Sequence, residues 1–251
     1  MKKIGILLLC CIFVVLGASN VLAADKKTYI VGIDGDYYPY SFIGQDGKPA
    51  GFDVESIQWI AKEMGFEVKV QPMAWDGIIP ALLAKKIDMV YSGMTASPER
   101  REVVTFSKVY WIINQAVCVR NNTDTNMGNL FDGKHTIGTQ RGCTAAMWLE
   151  DYVVKTGIIP SQNLKLYDNF PLAAKDLENG RIDAAMMDDV IVAKAVEGKD
   201  MKIIGTISTG EEYAVAMRKE DKELHDLINE GLDRLMTSPM WNELKLKYKM
   251  F

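Results

Sequence analysis

Histidine is scarce in this chain, with two residues in 251, and neither His135 nor His225 has a cysteine beside it. Without a Cys/His cluster the sequence offers no metal site. The same scarcity argues against a Ser/His/Asp or Cys/His catalytic constellation, because His135 stands in a turn-like stretch and His225 in a helical one. Cysteine is nearly as rare. Of the four cysteines, Cys10 and Cys11 fall in an N-terminal apolar block, which leaves Cys118 and Cys143 and at most one intramolecular disulfide. That block, Ile4 to Leu16, is the longest apolar run, and it is shorter than the ~20 residues of a membrane span. A basic excess is missing as well. The formal charge is −4, so a polyanionic partner is disfavoured and no nucleic acid is expected.

What is present begins with a leader. Lys2 and Lys3 precede the apolar block, and Val21-Leu22-Ala23 puts small residues at cleavage-type positions, which is the pattern of a secretory signal peptide over residues 1–23. Export to the periplasm is the expectation. Lipid anchoring is not, because Cys10 and Cys11 lie inside the block rather than after a small residue at its end. Cleavage removes two lysines and no acid, which takes the formal charge from −4 to −6. The remaining ~228 residues can bury a substantial core as one domain or two lobes.

Apolar periodicity then alternates between strand and helix. Tyr29 to Ile33 is a β-branched, aromatic strand that ends in a turn-rich aromatic stretch, Asp34 to Tyr40, and Gln45-Asp46-Gly47-Lys48 is a hairpin-type turn. Asp53 is expected to cap a helix carrying Ile57, Ile60, Ala61 and Met64 at helical spacing, with Gly65 as its stop. A strand from Glu67 to Gln71, a helix capped by Asp76 with Pro80 near its first turn, and a strand from Ile87 to Tyr91 complete a β, α, β, α, β order. That order predicts a mainly parallel sheet with helices on its faces. After an extended run from Tyr110 to Arg120 the pattern restarts, with strands at 136–139, 163–166, 184–187 and 201–207 and helices at 144–155, 171–177 and 189–196. Tyr213 to Arg218 is expected to cross back to the first lobe. There, apolar stripes headed by Leu224 and Trp241 mark two covering helices.

One stretch carries a chemical signal. In Tyr91 to Arg101, Ser97 suits a helix N-cap, Pro98 the first helical position and Glu99 the first turn. Backbone N–H groups at that start, with Thr95 and an arginine nearby, suit a carboxylate. The segment Leu83 to Val90 has a counterpart from Glu178 to Ala185, where a basic residue, Ile-Asp and an apolar strand recur. Aligning Ile87 with Ile182 sets Ser92 and Gly93 opposite Met187 and Asp188. Both pairs fall at carboxyl ends of strands, where open α/β sheets place ligands.

Six motifs in order resemble the bacterial extracellular solute-binding proteins of the polar amino-acid type, which serve ABC importers: Asp34 to Tyr40, Gly51 to Val54, Gly77 to Leu82, Ser92 to Arg100, Ile137 to Gly142, and Gly180 to Ala185 leading to Asp188. The resemblance implies a two-lobed periplasmic binding protein-like α/β fold, each lobe a mainly parallel sheet flanked by helices and the two joined by crossover strands. Lobe 1 would be 24–113 with 209–251, and lobe 2 would be 114–208. It implies that Arg100 clamps a ligand α-carboxylate, aided by Thr95, and that the Gly93 carbonyl and Asp188 meet the α-ammonium group. Tyr37 and Trp75 would flank the ligand side chain, and Asp34 would either meet the cationic end of a basic ligand, as in members that take one, or simply end the strand. Met94, Gln140, Cys143 and Thr144 complete the expected site. The expected partners are an amino-acid ligand and a membrane permease, with no cofactor, and the protein is expected to be a monomer.

The family usually carries threonine or serine where Cys143 stands, and a thiol donates a hydrogen bond more weakly than a hydroxyl. A Cys118 to Cys143 disulfide is left open by the sequence. The alternative function on the same scaffold is a periplasmic dehydratase of the cyclohexadienyl type. Its diacid substrate would be repelled by Asp188 and would need an additional cationic group, for which Arg141 is the candidate.

Overall fold

The structure, a computed structural model, describes residues 26–250, so the signal-peptide stretch lies outside the described residues. In chain order the first half comprises β1 (Thr28–Asp34), β2 (Asp36–Tyr37), β3 (Ser41–Ile43), β4 (Pro49–Ala50), α1 (Phe52–Met64), β5 (Glu67–Met73), α2 (Ile78–Leu83), β6 (Met89–Val90), α3 (Pro98–Val103) and β7 (Thr105–Phe106). A long strand, β8 (Trp111–Arg120), leads to β9 (Ile137–Gln140), α4 (Thr144–Leu149), β10 (Leu164–Tyr167), α5 (Phe170–Glu178), β11 (Ala184–Asp188) and α6 (Asp189–Val196). A second long strand, β12 (Met201–Tyr213), returns to β13 (Ala216–Met217), α7 (Lys222–Thr237) and α8 (Pro239–Tyr248).

These strands form two five-stranded sheets of matching design. The first has the order β5-β1-β6-β13-β7 and the second β10-β9-β11-β8-β12. Each has three parallel strands at one side and antiparallel strands at the other. The expected repeat is therefore physical: β1 corresponds to β9, β6 to β11, and β13 to β8. The hairpin turn over Gln45 to Lys48 joins β3 to β4 in a separate small sheet.

Apolar spacing explains the packing. Helix α1 buries Ile57, Ile60 and Ala61 and stops at Gly65, which takes the left-handed conformation with φ 80°. Helices α7 and α8 bury Ile228, Leu232, Trp241 and Leu244 in the same core as α1, and each such side chain contributes roughly 1.5–3 kcal/mol through burial. A second cluster forms where α2 seats Ile78 and Leu82 against Ile87, Val90 and Met94.

Several local expectations need correction. Asp53 does not cap α1. Gly51 holds the cap position, and the Asp53 carboxyl group turns inward, one oxygen accepting from the Gly93 N–H at 2.6 Å and the Tyr110 hydroxyl at 2.8 Å. Asp76 does not cap α2 either, since a short 3-10 turn at Trp75–Gly77 precedes the helix and no side chain caps it. The helix expected at 144–155 ends at Leu149 and continues as a widened π-type turn over Glu150–Val154. The crossing back is made by β12 itself, which pairs with β8 as far as Tyr213 opposite Trp111. Strand β13 follows as a separate two-residue strand. Cys118 and Cys143 are both buried free thiols, which closes the disulfide question.

Candidate functional site

The carboxyl ends of β1, β6, β9 and β11 converge on one narrow cleft between the two sheets, which Arg100 and Asp188 enter from opposite sides. Its lining is Asp34, Tyr37, Trp75, Gly93, Thr95, Arg100, Gln140, Cys143, Thr144, Met187 and Asp188. Every residue expected from the sequence is there except Met94. That side chain is fully buried in the core with α2, and Met187 from the other lobe takes a place in the lining.

Arg100 owes its position to the helix start. The Ser97 hydroxyl accepts the Arg100 N–H at 3.3 Å, with Pro98 at the first helical position, so the cap fixes the turn on which Arg100 stands. Arg100 as a whole is 5% exposed. It donates to the carbonyls of Thr95 at 2.9 Å and Gly142 at 3.1 Å and lies over the Trp75 ring. Burial draws its pKa below the ordinary value. A buried guanidinium whose partners are neutral carbonyls is poised for an anion, because a carboxylate offers a charge-assisted, two-pronged contact.

Asp188 is the opposite case. It ends β11 and is 3% exposed. It accepts from the Tyr37 and Tyr213 hydroxyls and from the Gln115 amide, the last at 2.6 Å. None of these donors is a cation. Burial, and next the nearby Glu211, push its carboxyl up to about 6. A cation entering beside it would find donors that hold the carboxylate in place without neutralising it.

Between these charges lie the side-chain walls. Tyr37 and Trp75 are nearly parallel, 17° apart with centroids 6.5 Å apart, and give the cleft two aromatic faces suited to a flat or cationic side chain. At the far end Asp34 accepts from the Gln140 amide at 2.7 Å across the cleft, and burial raises its pKa. Gly93 has φ 55°, and a Cβ there would meet the Tyr37 ring at 2.6 Å, so glycine is required both by its backbone and by the ring it supports. Cys143 caps α4, its sulfur accepting from the Ala146 N–H at 3.4 Å. Burial raises its thiol to about 11, which keeps it neutral.

Three residues next to the site escaped sequence reasoning: Gln115, Glu211 and Tyr213. All lie on the two crossing strands, where the sequence signals only extended chain. The Thr95 hydroxyl, expected to face a ligand carboxylate, donates instead to Glu211 at 2.9 Å.

Two lobes with opposite charges facing across a shared cleft define a ligand-trapping binding protein. The profile of the bacterial extracellular solute-binding proteins, family 3, matches residues 29–250, and the chain belongs to that family. It is 30% identical to the L-cystine-binding protein TcyJ of Escherichia coli (strain K12) over 227 residues, covering 89% of this chain and 83% of that protein. A solved structure of an ancestral arginine-binding protein bound to arginine superposes with a TM-score of 0.82 at 33% identity, covering 89% of this chain and 99% of that one. Another, the ancestral amino acid-binding protein AncCDT-1, a precursor of cyclohexadienyl dehydratase, superposes with a TM-score of 0.76 at 30% identity over 88% and 94% of the two chains.

Proposed function

We propose that this protein is the solute-binding component of an ABC importer for a polar amino acid with a cationic or planar side chain. The observation that carries the reading is the pairing, on opposite lobes of one cleft, of a buried Arg100 whose hydrogen-bond partners among the described residues are carbonyls with a buried Asp188 that has no cationic partner among them. An amino-acid zwitterion supplies both missing charges at once. Its carboxylate meets Arg100 and the backbone N–H groups at the start of α4, and its ammonium meets Asp188 and the Gly93 carbonyl. Its side chain runs between Tyr37 and Trp75 toward Asp34 and Gln140. Closure then has an energetic cause, because the ligand favours the conformation in which both charges are satisfied.

The division into 24–113 with 209–251 and 114–208 puts the hinge on the two crossing strands. The register break between Ile207 and Glu211 supports that placement. We further assign the protein to the periplasm as a monomer, delivered there by residues 1–23 and docking on a membrane permease.

The dehydratase alternative is disfavoured by the cavity. Arg141, the cation a diacid would need, is exposed, donates to the Leu166 carbonyl at 3.3 Å and is absent from the lining. A binding role without catalysis is the reading we adopt. A thermal-shift panel of the twenty amino acids with ornithine, citrulline, cystine and prephenate tests it. One or a few zwitterions, foremost the basic ones, should raise the melting temperature. A response confined to prephenate would sink the proposal.

A further inference from the structure

We infer that Glu211 is a positioning and specificity residue of the cleft: it forms with Asp188 a pair of carboxylates bridged by Gln115, and it biases the site toward amino acids of net positive charge. The inference rests on the solute-binding reading above and names a determinant that lies outside the cavity lining.

The geometry starts from an irregularity. Strands β8 and β12 pair with Ile207 opposite Gln115 and then Glu211 opposite Ile113, so β12 takes four steps where β8 takes two. The surplus chain includes Gly210 at φ 60°, whose N–H donates to the Asn114 side-chain oxygen at 3.1 Å. A bulge re-aims the side chains beside it, and here it delivers Glu211 to the cleft. One Glu211 oxygen accepts the Thr95 hydroxyl at 2.9 Å, and the other accepts the Gln115 amide at 2.9 Å.

Gln115 fixes the meaning of this contact. It is fully buried, and its amide nitrogen also donates to Asp188 at 2.6 Å. An amide nitrogen has two protons, and here each meets a carboxylate. The amide oxygen, buried, has no partner among the described residues, so the two acids dictate how the amide is turned. The chain Thr95, Glu211, Gln115, Asp188 thus joins the anion-binding loop of one lobe to the acid of the other through both crossing strands.

The charges follow. Arg100 is the cation of the cavity lining, against Asp34 and Asp188 in the lining and Glu211 behind it. The groups that feel Glu211 are Asp188 and Asp189, both raised by it, and Arg100, whose charged form it favours. A zwitterion adds no net charge to this set, whereas a ligand with a further cation offsets one of the acids. Because its oxygens are engaged by Thr95 and Gln115, Glu211 acts through those groups and through its field.

Isothermal titration of wild type, Glu211→Gln and Glu211→Asp with L-arginine, L-glutamine and L-glutamate between pH 5 and 8 tests this. Glu211→Gln keeps the shape and loses the charge. The arginine-to-glutamate affinity ratio should fall by roughly tenfold, and Glu211→Asp, which keeps the charge on a shorter arm, should retain the ratio at lower overall affinity. Equal changes for all three ligands in Glu211→Gln, or a ratio lost equally in Glu211→Asp, would overturn the inference and leave a hinge role alone. A ligand-free readout decides it independently. The Asp188 carboxyl, followed by carbon NMR, should titrate at lower pH in Glu211→Gln, and an unmoved titration also overturns it. Wild type that binds none of the amino acids in the panel removes the solute-binding reading itself, a result visible without any variant.

Discussion

The two lobes use one scaffold and finish it differently. In the first, Arg218 follows β13 and donates to the carbonyls of Leu82 and Ile87 at 3.1 and 2.6 Å while pairing with Asp88 at 3.0 Å. In the second, Arg120 ends β8 and donates to the carbonyls of Leu177 and Ile182 at 2.8 and 2.6 Å, with Asp183 at 4.0 Å. Each of these acids also accepts a backbone N–H of the neighbouring chain at 2.8 Å, from Ile30 for Asp88 and from Thr136 for Asp183. The central strands match as well. A Cβ on Gly32 would meet Ile87 at 2.4 Å and one on Gly138 would meet Ile182 at 2.5 Å, so both lobes need glycine where an isoleucine presses on the strand.

The difference lies at the other end of the same strands. After β6 the chain makes a loop to Ser97 before α3 begins, and this loop lets an arginine turn back over the cleft. After β11 there is no loop. Asp188 is the last residue of the strand and immediately precedes α6. One architecture therefore supports a cation on one side and an acid on the other, and the asymmetry is confined to the segment that follows a strand. The shared braces hold the ends away from the ligand, which leaves the ligand-facing ends free to diverge.

The most damaging way to break this asymmetry is to remove its charges. Arg100→Ala should lower amino-acid affinity by 100-fold or more, about 3 kcal/mol, and Asp188→Asn by somewhat less, both measured by isothermal titration. The sign of the pH effect separates the two sides. Burial holds the Asp188 carboxyl at about 6, and only its ionised form pairs with an ammonium group, so wild-type affinity should weaken as pH falls below 6, while Asp188→Asn, which keeps Asp34 as an acid of the lining, should weaken less.

Next in size, the braces test the similarity. Arg218→Met should cost about 2–3 kcal/mol in denaturant unfolding and Arg120→Met about 1 kcal/mol less. Arg218 is the more buried arginine, with its side chain 8% exposed against 22%, and it holds its acid more closely. Equal losses would show the lobes to be energetically as well as geometrically alike.

The smallest effect belongs to Asp53, which has no equivalent acid at the matching helix of the second lobe. Burial holds its carboxyl at about 8 against an ordinary 3.8. The folded protein therefore keeps a proton that the unfolded chain has lost, so this contribution is complete below about pH 4 and declines as pH rises to 8. Asp53→Asn should remove about 1 kcal/mol of the wild-type loss in stability between pH 7 and 8, read from melting temperatures at the two values. An unchanged slope would assign the pH dependence elsewhere.

What the sequence determined by itself is the order of elements, the duplication and most of the cleft. These are written in local signals: strand and helix periods, the Ser97-Pro98 cap, the recurrent Ile-Asp, and a leucine, isoleucine and alanine spacing that can bury only one face of a helix. Site residues at strand ends were legible because position along a strand fixes position in an open sheet. What tertiary structure decided is which way individual side chains turn. Asp53 looks like a cap in sequence, yet the nearby Gly93 N–H and Tyr110 hydroxyl draw it inward. Met94 sits among site residues but alternates into the core. Gln115, Glu211 and Tyr213 stand on extended chain without a local motif. They become part of the site because two crossing strands meet out of register there, and a long-range pairing offset leaves no trace in the residues of either strand alone.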